Sequence, residues 1–175
     1  MAEGSPVYAQ AFDVGTAIAR AGGIVLCGGG GGVMRAAALG ARSANGHSIG
    51  VLPHAGPTDA EYVVETGMGD GRNYVNACVS DALIALFGEA GTLSEIALAM
   101  KLDRPVVYLG HWSFLNDAGL PLMPVAASPD DAVRRAFNAL GLSAGGRMTG
   151  PVHLPRIRDQ SANLSELAAW VDALA

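Results

Sequence analysis

Ile24-Val25-Leu26-Cys27-Gly28-Gly29-Gly30-Gly31-Gly32-Val33-Met34-Arg35-Ala36-Ala37-Ala38-Leu39-Gly40-Ala41 is the stretch that decides the architecture. Its first four residues form an unbroken apolar run, short for a helix and of the kind that a strand buried on both faces requires. Five glycines follow, and then an Ala-, Leu- and Met-rich segment that favours helix. Strand, glycine loop and helix in this order are the opening of a parallel crossover unit. Upstream, Ala11, Val14, Ile18 and Ala19 recur at helical spacing within residues 7–21, and Gly22-Gly23 supplies the stop. Downstream, residues 48–52 read as a strand ended by Pro53, and residues 54–71 as one long connection. Residues 81–87 then repeat the buried strand, residues 88–91 the glycine turn and residues 92–101 the helix, with Leu93, Ile96, Ala97 and Met100 on one stripe. Residues 105–109 and 122–126 are further strands, and Ser128-Pro129-Asp130-Asp131 provides the N-cap, first-turn proline and acidic turn of a helix reaching Leu140. The alternation predicts an α/β fold, a doubly wound parallel sheet with helices on both faces, whose ligands sit beyond the carboxyl ends of the strands. Both glycine loops fall on that edge.

Length and composition agree. The chain has 175 residues, enough for one domain. Half of it is hydrophobic and 15% charged, which excludes disorder. Residues 1–142 are expected to form the α/β domain. Residues 143–175 read as a connector and an appended helix with Leu164, Leu167, Ala168, Val171 and Leu174 on one stripe. Ten arginines and the single Lys101 stand against sixteen acids, for a net charge of -5. The cations are scattered, so nucleic acid is not an expected partner. Cys27 and Cys78 lack metal spacing and read as buried thiols; no metal site is expected. The first residues carry no signal-peptide pattern and no stretch is apolar enough to cross a membrane, which predicts a cytoplasmic protein.

A glycine loop between strand and helix exposes backbone amides without Cβ obstruction beside a helix N-terminus, and phosphate is its natural guest. The dinucleotide fingerprint fails in each register, because the sixth position from Gly28, Gly29 or Gly30 is Val33, Met34 or Arg35. No Lys-Ser or Lys-Thr follows the glycines, which excludes a P-loop. The competing reading is a loop that only packs a helix tightly on the sheet.

Cys27 to Met34 with Gly40-Ala41, Thr66-Gly67-Met68-Gly69 with Arg72-Asn73, Ser80-Asp81-Ala82, and Gly88-Glu89-Ala90-Gly91-Thr92-Leu93-Ser94-Glu95 together resemble the LOG-type (LONELY GUY) Rossmann-like superfamily. It includes cytokinin-activating phosphoribohydrolases, proteins once labelled lysine decarboxylases, and molybdenum cofactor carriers. Leu93 to Ala99 is most similar to the carrier-like branch. The resemblance implies that Arg72 and Glu95 are catalytic, and that Gly28, Gly29, Gly30, Gly31, Gly32, Met34, Gly88, Gly91 and Thr92 bind the ligand's phosphate. It also implies a strand before the first helix, which Met1 almost abuts. The natural chain is therefore expected to begin earlier, or residues 151–155 to compensate. Where the hydrolases read Pro-Gly-Gly-x-Gly-Thr, this chain has Phe87-Gly88-Glu89-Ala90-Gly91-Thr92, which puts a carboxylate in the loop.

Cleavage of an N-glycosidic bond passes through an oxocarbenium-like state that a carboxylate can stabilise, while an arginine holds phosphate or leaving group. The expected function is hydrolysis of a nucleoside 5′-monophosphate to base and ribose 5-phosphate, with no cofactor required. The alternative is a non-catalytic carrier of a phosphorylated pterin such as molybdenum cofactor. Retention of both Arg72 and Glu95 favours the enzyme; Phe87 and Glu89 favour the carrier. Each residue also has a plain structural reading. Thr92 to Glu95 can be a capping box, Arg72 a solvated arginine at a helix start, and Ser94 a helix residue. Tyr62, Met68 and Tyr74 read as core, and His47, His54, His111 and His153 as strand-end or surface histidines. A pyridoxal phosphate decarboxylase is excluded, since its Schiff base needs a lysine and Lys101 sits at the far end of a helix. A homodimer is expected from the apolar circumference of the helix bearing Glu95, which light scattering would report as twice 17.8 kDa.

Overall fold

The computed structural model describes residues 3–142. Residues 143–175, including the expected appended helix, lie outside the described residues. In chain order the elements are α1 (Pro6–Arg20), β1 (Val25–Cys27), α2 (Val33–Ser43), β2 (Ser48–Leu52), β3 (Tyr62–Glu65), α3 (Arg72–Val79), β4 (Leu83–Leu86), α4 (Ala90–Lys101), β5 (Val106–Leu109) and α5 (Pro129–Ala139). A single 3-10 turn, Gly69–Gly71, leads into α3. All strand pairs are parallel.

Two helix starts share one device. Ser128 Oγ accepts from the Asp131 amide at 3.2 Å with Pro129 in the first turn. Ser5 Oγ accepts from the Tyr8 amide at 3.2 Å with Pro6 following it. In each, the serine satisfies an orphan amide and the proline occupies a position whose N–H has no partner anyway.

The strands alternate between two cores. Ile84, Leu86, Val107 and Leu109 point into a cluster with Val14, Ala132, Val133 and Phe137, from α1 and α5. Leu83, Ala85, Val106 and Tyr108 point to the other face, against Ala77, Ile96 and Ala99 of α3 and α4. This is the doubly wound arrangement that the apolar runs predict, because a strand covered on both faces cannot afford a polar side.

Helices α1 and α2 lie backbone against backbone. A Cβ on Gly15 would overlap the carbonyl of Ala37, and one on Gly40 the carbonyl of Phe12. Thr16 Oγ1 donates to the Gly40 carbonyl at 3.1 Å, closing the same crossing.

The sheet is divided. One part has the order β1-β2-β3 and the other pairs β4 with β5. Among the described residues β1 has a strand neighbour on one side only, and Ile24 beside it is half exposed. Residues 151–155, the expected substitute neighbour, are outside the described residues.

Several expectations are corrected. Residues 54–71 are more than a connection: they contain β3, whose Tyr62–Glu65 run pairs with β2 but keeps Val63 and Val64 exposed, so its burial pattern is not a strand's usual one. Residues 122–126 form no strand; Val125 makes one bridge to Tyr108. On α4 the buried positions are Ile96 and Ala99 rather than Leu93 and Ala97, which are exposed, because the helix meets α3 and the sheet through the Ile96–Ala99 face. Met68 and Tyr74 are about half exposed instead of core, since each lies on the solvent side of the turn and helix bearing Arg72.

Candidate functional site

Residue Arg72 opens α3, and its side chain folds back over the first glycine loop. A Cβ on Gly28 would overlap the guanidinium, so glycine there is what lets the arginine lie flat on the backbone. From that position Arg72 Nη1 donates to Glu95 Oε1 at 3.2 Å. Asn76, one turn further along α3, donates its Nδ2 to the same oxygen at 2.8 Å. The side chains of Arg72 and Glu95 are 16% and 22% exposed, so the pair is screened but reachable. Among the described residues Arg72 Nη2 has only the weak acceptor Met34 Sδ, at 3.9 Å, which leaves donor capacity for an anion. Asn73 Nδ2 completes the α3–α4 contact, donating to Ser94 Oγ at 2.7 Å.

Glu95 therefore does not form the capping box. Helix α4 begins at Ala90, two residues earlier than expected, so Thr92 is inside the first turn and the carboxylate turns away to α3. Arg72 is no solvated arginine either. Glu89 is the N-cap residue of α4 but its side chain caps nothing, and the first amides of that helix stay free of the carboxylate.

The glycines divide by what the fold demands of them. Gly29 and Gly32 have φ of 69° and 62°, a left-handed region costly to other residues. Gly29 also lies against Leu52. Gly30 faces the Met34 methyl, and Gly88 faces the Thr92 hydroxyl. Gly31 and Gly91 differ from these. A Cβ on either would meet nothing within 4 Å, and neither has a positive φ. Gly91 lies within α4, where glycine costs roughly 1 kcal/mol against alanine. Packing does not explain either one.

Cys27, at the end of β1, donates its thiol to the Met34 carbonyl at 3.6 Å. Burial pushes this thiol above its ordinary pKa, outweighing the lowering by the Gly29 backbone and the Arg72 charge. His47 pairs with Glu61 at 2.8 Å on the outer surface, His54 and His111 are exposed, and His153 lies outside the described residues. Lys101 ends α4 in solvent, at the opposite end of that helix from the second glycine loop. No cluster of metal-ligating side chains occurs among the described residues, and no described helix is long and apolar enough to cross a membrane. A cavity of about 420 Å³ lies by Arg104, Val106 and Arg135, at the opposite end of β5 from the glycine loops, and holds none of the residues above.

The sequence reading missed Asn76. Its signal was present, for residues 72, 73 and 76 share one helical face and a face with two asparagines beside an arginine is polar where core would be expected.

Residues 2–131, which contain both loops, Arg72 and Glu95, match the SLOG cluster4 family (LDcluster4). An uncharacterized protein of Archaeoglobus fulgidus is 40% identical over 135 residues, covering 75% of this chain and 86% of its own. The molybdenum cofactor binding protein of the phototrophic bacterium Rippkaea orientalis is 31% identical, with a TM-score of 0.70, 79% of this chain covered and 91% of that one. The molybdenum cofactor carrier protein of Chlamydomonas reinhardtii is 34% identical, with a TM-score of 0.68 and coverages of 77% and 88%.

Proposed function

The chain belongs to the SLOG cluster4 family, with its LOG-like Rossmann-type fold, and from that premise we propose that it binds and carries a phosphorylated pterin such as molybdenum cofactor on its two glycine loops. The observation that carries this reading is the likeness, at 31 and 34% identity, to a molybdenum cofactor binding protein and a molybdenum cofactor carrier protein. The residues fit such a cargo. Gly31 and Gly91 leave open space that packing does not need, the first amides of α4 are free of Glu89, and Arg72 has a guanidinium nitrogen to spare. A phosphate ester would take its charge compensation from the amides and the guanidinium, in the room the two glycines leave.

Gly91→Ala tests the reading. The new methyl enters no occupied space in the protein and should stabilise α4 by roughly 0.5–1 kcal/mol. It should also weaken binding of a pterin phosphate ester by about tenfold, measured by calorimetry. Unchanged affinity would remove Gly91 from the binding surface.

A second reading, hydrolysis of a nucleoside 5′-monophosphate, rests on the Arg72–Glu95 pair. Oxygen Oε1 of Glu95 is held by two donors, and Oε2 has no part in those bonds, so a fixed carboxylate oxygen is available to a developing ribosyl cation. With a panel of nucleoside monophosphates, base release should then disappear in Glu95→Gln at an unchanged melting temperature. Full activity in the variant, or activity lost together with several degrees of stability, would defeat the catalytic assignment.

A further inference from the structure

Beside the second glycine loop stands an aromatic cluster that grows outward from the core. Tyr108 on β5 is fully buried. Trp112 stacks on it with ring centroids 6.1 Å apart and planes 12° from parallel, and Phe114 meets both edge-on, at 5.3 Å from Tyr108 and 5.7 Å from Trp112. Phe87 is the outermost ring, 5.9 Å from Trp112 and tilted by 51°. The turn after β5 is built for this. The Trp112 amide donates to the Tyr108 hydroxyl at 3.1 Å, and a Cβ on Gly110 would overlap that hydroxyl, so the chain wraps around the tyrosine to place the indole.

Phe87 nonetheless keeps 37% of its surface in solvent. It is joined directly to Gly88, the first residue of the α4 loop. Phe87 is held against the inner rings through Trp112, and the rest of its ring stays open beside the second glycine loop.

We infer that Phe87, backed by Trp112, is a stacking platform for a planar heteroaromatic ring carried by the same phosphate ester that the loop residues 88–92 hold. The inference rests on the phosphate-binding reading of those loops and adds the ring's recognition to it. Aromatic faces accept any flat π-system, and their contribution is sequence- and substituent-tolerant. The platform itself selects a flat ring on a phosphorylated arm, and both the pterin ester and the nucleoside monophosphate of the proposed function supply one.

Calorimetric titrations of the full chain with guanosine 5′-monophosphate, a pterin phosphate ester and ribose 5-phosphate test this. At least one ring-bearing ester should bind the native protein about tenfold or more tightly than ribose 5-phosphate. In Phe87→Leu that preference should fall to within about twofold while ribose 5-phosphate affinity holds, and Phe87→Trp should restore it. The exposed position makes both variants compatible with the fold, which circular dichroism checks. A native protein that binds ribose 5-phosphate without preferring a ring, or a preference that survives Phe87→Leu, overturns the platform and leaves the phosphate site standing. A native protein that binds none of the three overturns both.

Discussion

Replacing Arg72 with methionine is expected to weaken binding of any phosphorylated ligand by about 10- to 150-fold, the equivalent of one charge-assisted hydrogen bond worth about 1.5–3 kcal/mol. The side chain touches Gly28, Met34 and Glu95 at once, so its removal takes the positive charge from between the two loops and leaves the Glu95 carboxylate to Asn76 alone. Methionine retains much of the apolar stem over Gly28. Because both members of the pair are partly exposed, the melting temperature should fall by only a few degrees. Arg72→Lys should recover a fraction of the affinity, since an ammonium supplies charge but cannot keep the planar contact with the glycine backbone. Calorimetry with a pterin phosphate ester or a nucleoside monophosphate reads both variants; affinity unchanged in Arg72→Met would mean the anion is held elsewhere.

Gly40→Ala should be, with Gly15→Ala, among the most destabilising single methyls in the described residues. The added carbon collides with the Phe12 carbonyl, a backbone atom with no rotamer to yield, so α1 and α2 must move apart. Overpacking of this kind costs about 3 kcal/mol at its upper end, and alanine's better helix propensity returns about 1. The remaining 2 kcal/mol or so corresponds to a melting temperature lower by roughly 4–8 °C for a chain of this size. Gly15→Ala strains the same crossing, so the double variant should lose less than the sum. A melting temperature for Gly40→Ala equal to the native value would mean that the crossing is looser than its geometry.

The fold was readable where burial on both faces writes itself as an apolar run. Residues 24–27, 48–52 and 81–87 read as strands and contain β1, β2 and β4, the last shorter than its run by two residues at its start and one at its end, and Ser128-Pro129 marked a helix start to the residue. Strand β3 was not readable because three of its four residues, Val63, Val64 and Glu65, are exposed and its place is fixed by pairing with β2, which lies ten residues away in sequence. Leu122 to Ala126 misled in the opposite direction: it has strand composition but only Val125 reaches Tyr108. In the site, Arg72 and Glu95 came from motif resemblance, yet their partners are a matter of helix phase. The capping-box reading of Glu95 assumed a helix starting at Thr92, and a start two residues earlier rotates the carboxylate toward Asn76. No local rule fixes such a start when Glu89 caps nothing.

The division of the sheet bears on how the molecule melts. Loop residues 28–32 leave one strand group and residues 88–92 the other, and no strand hydrogen bonds join the two groups among the described residues. Helix packing and the Arg72–Glu95 pair hold them across that line. A ligand held by both loops, as proposed, would be a cross-link and would stabilise the closed pair by RT ln(1 + [L]/Kd), about 2.7 kcal/mol at a hundredfold excess over Kd. Unloaded protein should open along this seam before it unfolds globally, whereas loaded protein should melt as a single cooperative unit, making cargo occupancy and the integrity of the fold one and the same equilibrium.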